Sequence, residues 1–249
     1  MGLFNKYFGA GKLKEPIDFS PFGVDMHSHL IPGLDDGVKT VEESLEMIRG
    51  LHDLGFYKLI TTPHIMNDVY TNSPETILPG LEKVRRAVKE TGLNVEVFAA
   101  AEYLLDDGFM QKLKSDPMMT IGDNILLVEM SYIMEPYKLD HMLFDIQMAG
   151  YRIVIAHAER YSFWAHNKKR FQDMIDRSIY LQLNILSLMG YYGKEVQKTA
   201  FWLLENDMYS FAGTDLHNGI YLSSLQELQY HPAMKKLQEK SGSFINHTL

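Results

Sequence analysis

Val24-Asp25-Met26-His27-Ser28-His29-Leu30-Ile31-Pro32-Gly33-Leu34-Asp35-Asp36-Gly37 is the stretch around which the chain is organised. An apolar approach through Phe22, Val24 and Met26 ends in His-x-His, and a Gly- and Asp-rich turn follows. Side chains at i and i+2 of an extended strand share a face. His27 and His29 therefore project together, as two ligands of one metal ion must. A strand end with two solvent-facing histidines has the same local pattern, so partners have to come from elsewhere in the chain.

They come from segments that end in the same way. Lys58 to Ile65 reads as a strand with His64 at its far end, Asn94 to Ala101 delivers Glu102, and Asn124 to Met130 carries Glu129. Arg152 to Ala156 ends in His157-Ala158-Glu159-Arg160, Tyr180 to Leu186 offers only Asn184, and Tyr209 to Gly213 ends in Thr214-Asp215-Leu216-His217. Helical patterns separate the strands. Thr40 with Glu43 resembles a capping box ahead of Val41, Leu45, Ile48 and Leu51, and Gly55 marks the stop. Ser73-Pro74 opens a helix to Glu90 before Gly92, with a kink or a break predicted at Pro79-Gly80. Further helices are predicted at 108–114, 136–149, 167–177, 194–206 and 223–240, the last interrupted by Pro232.

Seven apolar strands alternating with helices over 249 residues predict an α/β fold, a parallel sheet closed into a TIM-like barrel. In such barrels active-site groups stand at the C-terminal ends of the strands, where the histidines and acids above fall. His52, His141, His166, His231 and His247 lie in helices, loops or the tail and read as surface or structural.

The composition restricts the chemistry. A hydrophobic content of 46% suits one large globular domain, read as residues 21–249 after a tail over 1–20. In that tail Phe4, Tyr7 and Phe8 with Lys6 and Lys12 offer a contact to a membrane surface or a partner, against the simpler reading of a loosely ordered terminus. Lys6 stands where a myristoylation signal wants Ser or Thr. There is no run of membrane-span length and no secretory h-region, so a cytoplasmic location is expected. The net charge of −8 argues against nucleic acid as partner. With no cysteine, disulfides, thiolate metal sites and cysteine nucleophiles are excluded.

Imidazoles mixed with carboxylates, without sulfur, suit Mn, Fe or Zn better than Mg or Ca. Five histidines with four carboxylates exceed one coordination sphere, which points to two or three ions sharing a carboxylate. Ions about 3.5–4 Å apart activate a water and clamp attacking and leaving oxygens, most often at phosphorus. Amidohydrolases also begin with His-x-His, but commonly bridge their metals with a lysine from the fourth strand. Here that strand ends in Glu129, which favours phosphoester hydrolysis.

Asp-Met-His-Ser-His…Asp-Asp-Gly, Thr-Thr-Pro-His, Ala-Ala-Glu-Tyr, Leu-Leu-Val-Glu-Met, Ala-His-Ala-Glu-Arg-Tyr and Gly-Thr-Asp-Leu-His-Asn together resemble the polymerase-and-histidinol-phosphatase (PHP) superfamily. Within it the chain is most similar to the bacterial manganese-dependent protein tyrosine phosphatases of capsule and exopolysaccharide operons. The resemblance runs from about residue 22 to 230. It implies a distorted seven-stranded (β/α)7 barrel with three Mn2+ ions, Fe or Zn being the alternatives. One ion would take His27, His29, Glu102 and Asp215; a second Glu102, Glu129 and His157; a third Asp36, His64 and His217. Asp35 is left with a supporting role. Arg160 matches an arginine placed against the substrate phosphate, with Glu102 and Asp215 completing the catalytic set; a surface salt bridge to Glu159 is the alternative use of Arg160.

The resemblance further implies a one-step reaction in which a bridging hydroxide attacks phosphorus in line with the departing phenolate. The implied substrate is a phosphotyrosine protein, the tail of a membrane-bound polysaccharide tyrosine kinase. Two departures stand out. Ala158 replaces a usual proline, and Asn218 to Gln226 contains no second arginine; Lys168, Lys169 and Arg170 are the nearest substitutes, though they read first as a solvated helix start. A small-molecule phosphatase such as a histidinol-phosphate phosphatase is the alternative on the same metal set, and a metal-stabilised scaffold the non-catalytic one. An oligomer is compatible with all three.

Overall fold

Every strand pairing in the computed structural model, which describes residues 11–249, is parallel. The strands are β1 (Val24–Asp25), β2 (Lys58–Thr61), β3 (His64–Ile65), β4 (Glu96–Ala99), β5 (Glu102–Leu104), β6 (Ile125–Glu129), β7 (Arg152–Ile155), β8 (Tyr180–Asn184) and β9 (Phe211–Gly213). They form two sheets, in the orders β1-β2-β4 and β3-β5-β6-β7-β8-β9. The helices between them are α1 (Val41–Asp53), α2 (Pro74–Thr91), α3 (Asp107–Ser115), α4 (Leu139–Met148), α5 (Ser162–Ala165), α6 (Lys169–Asp176), α7 (Lys194–Glu205), α8 (Gly219–Leu228) and α9 (Ala233–Glu239).

Two of the strands expected from sequence are each divided. Pro63 has no N–H to give a ladder and separates β2 from β3; Ala100-Ala101 separates β4 from β5. The register carries straight across the gap, with Thr61 opposite Ala99 and His64 opposite Glu102. The interruption is thus a bend in one strand pair, and it sets His64 and Glu102 side by side at the start of their second segments.

The outer edges of the two sheets meet. Ser28 and Leu216 form a parallel bridge, with His29 N donating to the Leu216 carbonyl and Asp215 N to that of His27. Where the ladder fails, side chains take over. Asp25 accepts from Thr214 N and Oγ1, while the Asn246 amide donates to the carbonyls of Val24 and Ala212 and accepts from Ala212 N. The assembly is a mixed α/β fold around a curled parallel sheet.

Local signals explain the helix ends. Thr40 caps α1 by accepting from Glu43 N, although the Glu43 carboxylate accepts from Lys39 N and not from the cap residue itself. Ser73 and Thr76 complete a capping box at α2. That helix runs without a break through Pro79, so the break allowed for there does not occur. Gly80, next along, lets it close on the loop after β1: a Cβ at Gly80 would stand 2.4 Å from Ile31 Cγ2. The four-residue α5 is too short to carry a periodic signal and was not expected.

The core has two parts. A large outer layer joins helices to sheet, and a smaller inner plug holds Val24, Met26, Ile60, Leu127, Val154 and Phe211. On β6 the plug residues Ile125 and Leu127 alternate onto the same face as Glu129. The Glu129 carboxylate therefore stands directly above an apolar floor. Residues 11–20 lie against the domain: Leu13 N and Ile17 N bond to the carbonyls of Tyr230 and Gln229, and Phe19 is buried against Phe56. Phe4, Lys6, Tyr7 and Phe8 lie outside the described residues. Among those described, no helix is long and apolar enough to cross a membrane.

Candidate metal centre

His27, His29, Glu102 and Asp215 converge from three chain segments, all of them buried. His27 Nε2 lies 3.1 Å from Glu102 Oε2, 3.3 Å from Asp215 Oδ1 and 3.4 Å from His29 Nε2. His29 Nε2 lies 3.6 Å from Glu102 Oε2 and 3.5 Å from Asp215 Oδ1. Ligand bonds of roughly 2.1 Å in a tetrahedron put donor atoms about 3.4 Å apart. The two imidazoles thus keep close to that spacing from each other and from both carboxylates, as one transition-metal ion would require.

Two more groups adjoin this one. His64 Nδ1 is 3.1 Å from both Glu102 Oε2 and Glu129 Oε1. His157 Nε2 reaches the other Glu102 oxygen at 3.0 Å. On the solvent side Asp36 Oδ1 lies 3.5 Å from His64 Nε2 and 3.4 Å from His217 Nε2. All nine residues singled out in the sequence are thereby gathered into one continuous cluster, with Glu102 at its centre. Its second group is drawn around His64, Glu102 and Glu129, and its third includes His29 beside Asp36, His64 and His217, so His29 and His64 each border two groups. None of the five other histidines enters a metal-competent group among the described residues.

The donor chemistry fits cations. His64 Nδ1, Glu129 Oε1 and His157 Nδ1 are buried without a hydrogen-bond partner, a costly state for polar atoms. The first two lie 3.1 Å apart beside the Glu102 carboxylate, where a proton or an ion would satisfy both. Burial pulls His27 down, yet Glu102 and Asp215 outweigh it and push the imidazole up to about 9. Burial opposes protonation of His64 too, and Glu102 and Glu129 push it up to about 10. Burial likewise works against charge on Glu102 and Asp215, but His27 holds both well below the usual carboxylate range. Buried carboxylates this dense demand positive charge from a proton or a metal.

Supporting groups decide which ring nitrogen faces inward. His29 Nδ1 bonds to Asp35 Oδ2 at 2.7 Å, His27 Nδ1 to Gln182 Oε1 at 3.0 Å and His217 Nδ1 to the Asp215 carbonyl at 2.8 Å. Each bond places the proton on Nδ1 and leaves Nε2 as the metal-facing lone pair. Asp35 also accepts from the backbone N–H groups of Gly37 and His64, so one carboxylate ties the β1 loop to β3. Asp35→Ala is expected to weaken metal affinity about 10–100-fold while the protein stays folded, measured by titration of chelated protein with Mn2+. Unchanged affinity would remove Asp35 from this role.

Two of the clustered residues sit in the left-handed region, His157 at φ 34° and Asp215 at φ 52°. Neither is glycine, so each conformation costs on the order of 1–3 kcal/mol. Gln182 holds one of them by accepting from His157 N. Gly213 makes room for this arrangement: a Cβ there would come within 2.7 Å of His27 Cβ and 2.9 Å of Gln182 Nε2.

Arg160 reaches the cluster by donating to Asp215 Oδ2 at 3.1 Å, and the rings of Tyr132 and Tyr192 lie 4.4 and 4.1 Å from its guanidinium carbon. The alternative pairing with Glu159 is not adopted. Glu159 is buried and accepts from Ser187 Oγ, Asn184 N and Tyr209 Oη. Lys168, Lys169 and Arg170 are each engaged away from the cluster. Lys168 lies over Trp202, Lys169 pairs with Asp173, and Arg170 with Glu135 and Asp140. The mouth is lined by Asp36, His64, Tyr70, Tyr132, Arg160 and Tyr221, among others.

Burial pushes Glu159 from 4.5 up to about 7 in spite of its three donors. A folded-state value above the unfolded one gives stability that is complete below about 4.5 and lost as pH rises through about 7. The loss is up to about 3 kcal/mol for this group. Glu159→Gln should flatten that part of the pH dependence, read from urea midpoints at pH 5 and pH 8 at equal metal. Parallel curves for variant and parent would show that Glu159 stays ionised throughout.

Gln182, Tyr132 and Tyr192 were not identified from sequence. Gln182 had a signal, since Gln182 and Asn184 put polar groups at i and i+2 in an otherwise apolar, doubly covered strand. The tyrosines had none, because they come from separate loops.

A family model described as "Capsular polysaccharide synthesis, CpsB/CapC" matches residues 23–242. The tyrosine-protein phosphatase YwqE of Bacillus subtilis is 26% identical over 227 residues, 91% of this chain and 88% of that protein. The tyrosine-protein phosphatase CpsB of Streptococcus pneumoniae is 29% identical over 201 residues, 78% of this chain and 83% of its own. A crystal structure from work on those two enzymes, described as unique metal-dependent tyrosine phosphatases, superposes with a TM-score of 0.78 at 26% identity, covering 87% of this chain and 86% of that one.

Proposed function

The chain belongs to the capsular polysaccharide synthesis CpsB/CapC family, and from that premise we propose that it is a metal-dependent phosphatase acting on phosphotyrosine in proteins. The observation that carries the reading is the four-donor set His27, His29, Glu102 and Asp215 with Arg160 bonded to its outer edge. Three ions, with Mn2+ the first choice and Fe or Zn the alternatives, would use all nine ligands: His27, His29, Glu102 and Asp215; Glu102, Glu129 and His157; Asp36, His64 and His217. The shared register of the divided strands supports counting the curled sheet as seven strands, with the centre at their C-terminal ends.

Divalent ions held there would supply Lewis-acid charge and an activated water. The protein's own part is positional. Glu102 keeps two ligand groups at a fixed separation, because its two oxygens face different histidines. The dry floor below Glu129 strengthens every charge interaction above it. Arg160, its plane held by two aromatic rings, presents N–H donors to the non-bridging oxygens and offsets charge that builds as the P–O bond breaks. A tyrosine phenol, with a reference pKa near about 10, leaves without strong acid assistance. The proposed partner is the phosphorylated tail of a membrane-bound polysaccharide tyrosine kinase, met in the cytoplasm.

The test is a comparison of substrates on Mn2+-loaded protein. A phosphotyrosine peptide should turn over at least about 100-fold faster than histidinol phosphate, since the tyrosine-lined mouth suits an aryl group. Preference for histidinol phosphate would make the chain a small-molecule phosphatase. Turnover of neither substrate would leave the scaffold reading.

A further inference from the structure

Among the described residues, the large apolar side chains most open to solvent gather at one end of the sheet. Met148 apart, they are Tyr137 (96% exposed), Ile133 (88%), Ile220 (69%), Val69 (67%) and Met134 (65%). Each stands in a segment that follows a strand contributing to the metal centre: β3 for Val69, β6 for the three in the 131–138 loop and β9 for Ile220. Surfaces of this kind at a functional mouth mark recognition of an apolar partner.

The 131–138 loop is built to hold its shape. Glu135 accepts from the indole N–H of Trp164 and pairs with Arg170, which also reaches Asp140 at the start of α4. Tyr132, at the other end of the loop, is fixed against the Arg160 guanidinium and near His157. Ile133 and Met134 are thus displayed between two anchored neighbours, directly beside a residue that lines the mouth. Holding two apolar side chains in water at such a place gives nothing to the fold.

We infer that Ile133 and Met134 are specificity-determining residues that dock an apolar or aromatic side chain flanking the phosphotyrosine of the substrate polypeptide. The inference rests on the phosphotyrosine reading above. Continuity with the mouth selects this occupant: a chain whose phosphate meets Arg160 passes Tyr132 and then meets Ile133 and Met134. An anionic lipid surface is the poorer match for a protein of net charge −8.

The experiment uses full-length, Mn2+-loaded protein and the double variant Ile133→Ser/Met134→Ser. Substrates are a phosphotyrosine peptide with Leu or Phe within three positions of the phosphotyrosine, the same peptide with Ser there, and p-nitrophenyl phosphate. The parent should favour the apolar peptide about tenfold in kcat/KM, mainly through KM, and the variant should lose that preference. Turnover of p-nitrophenyl phosphate should be equal in both. Hydrolysis of both peptides without flank preference, or a preference kept by the variant, overturns the inference and leaves the phosphatase reading standing. No hydrolysis of any aryl phosphate by the parent overturns both. Loss of vesicle binding or of self-association in the variant, with peptide kinetics unchanged, assigns the surface to lipid or to a second copy and also overturns it.

Discussion

Glu102→Gln will strip the centre of metal and lower phosphotyrosine hydrolysis by at least about 10³-fold. The substitution preserves volume and one oxygen but removes the charge on which the cluster depends. Glu102 Oε2 stands 3.1 Å from both His27 Nε2 and His64 Nδ1, and Oε1 stands 3.0 Å from His157 Nε2. No other carboxylate in the cluster touches so many imidazoles. A neutral amide would also turn N–H donors toward ring nitrogens that must act as lone-pair donors to metal. His157→Ala should act similarly by removing one wall of the shared carboxylate. Metal content and kcat/KM, measured on the same preparations, decide the matter. Full metal occupancy with near-normal turnover in either variant would show that the proposed sharing of Glu102 is wrong.

Arg160→Ala is expected to lower kcat/KM about 10²–10³-fold with metal content unchanged. The distinction from Glu102 is the point of the experiment, because Arg160 meets the cluster only through Asp215 Oδ2. Arg160→Lys should recover little: an ammonium is a point charge, lacks a planar fork and stacks less well between Tyr132 and Tyr192. If Lys restored most of the rate, charge alone would suffice and the aromatic clamp would be incidental. If Arg160→Ala lost metal, Arg160 would be holding Asp215 in place and not the phosphate.

How much was legible in the chain follows from the range of the interactions. The capping signals at Thr40 and Ser73, the stops and the apolar strand cores are local, and the corresponding helices and strands formed. Misreadings came where a local rule met a long-range one. Pro79 is tolerated in the first turns of an 18-residue helix whose other side chains, Ile77, Leu81 and Val84, are buried against the domain. Lys58 to Ile65 looked like one strand because its apolar run is continuous. Only the pairing with β4 and β5 shows that the ladder pauses at Pro63. For Arg170 the sequence left two uses open, a solvated helix start and a phosphate contact; its partners Glu135 and Asp140 come from segments 30 or more residues away.

The residue types at the centre were set by composition and by strand syntax. With no thiol available, His27, His29, His64, His157 and His217 with Asp36, Glu102, Glu129 and Asp215 were the material for a hard-to-borderline metal site. Alternation of strand and helix was enough to expect them at one end of a sheet. What tertiary structure alone decided is which atoms meet. The Nδ1 partners Asp35 and Gln182, the left-handed turns at His157 and Asp215, and the seating of Arg160 between two tyrosines all depend on how the segments pack, through contacts of 2.7 to 4.4 Å. Periodicity is a property of a strand or helix by itself, whereas ligand geometry is a property of the packing between them, which no spacing along the chain records.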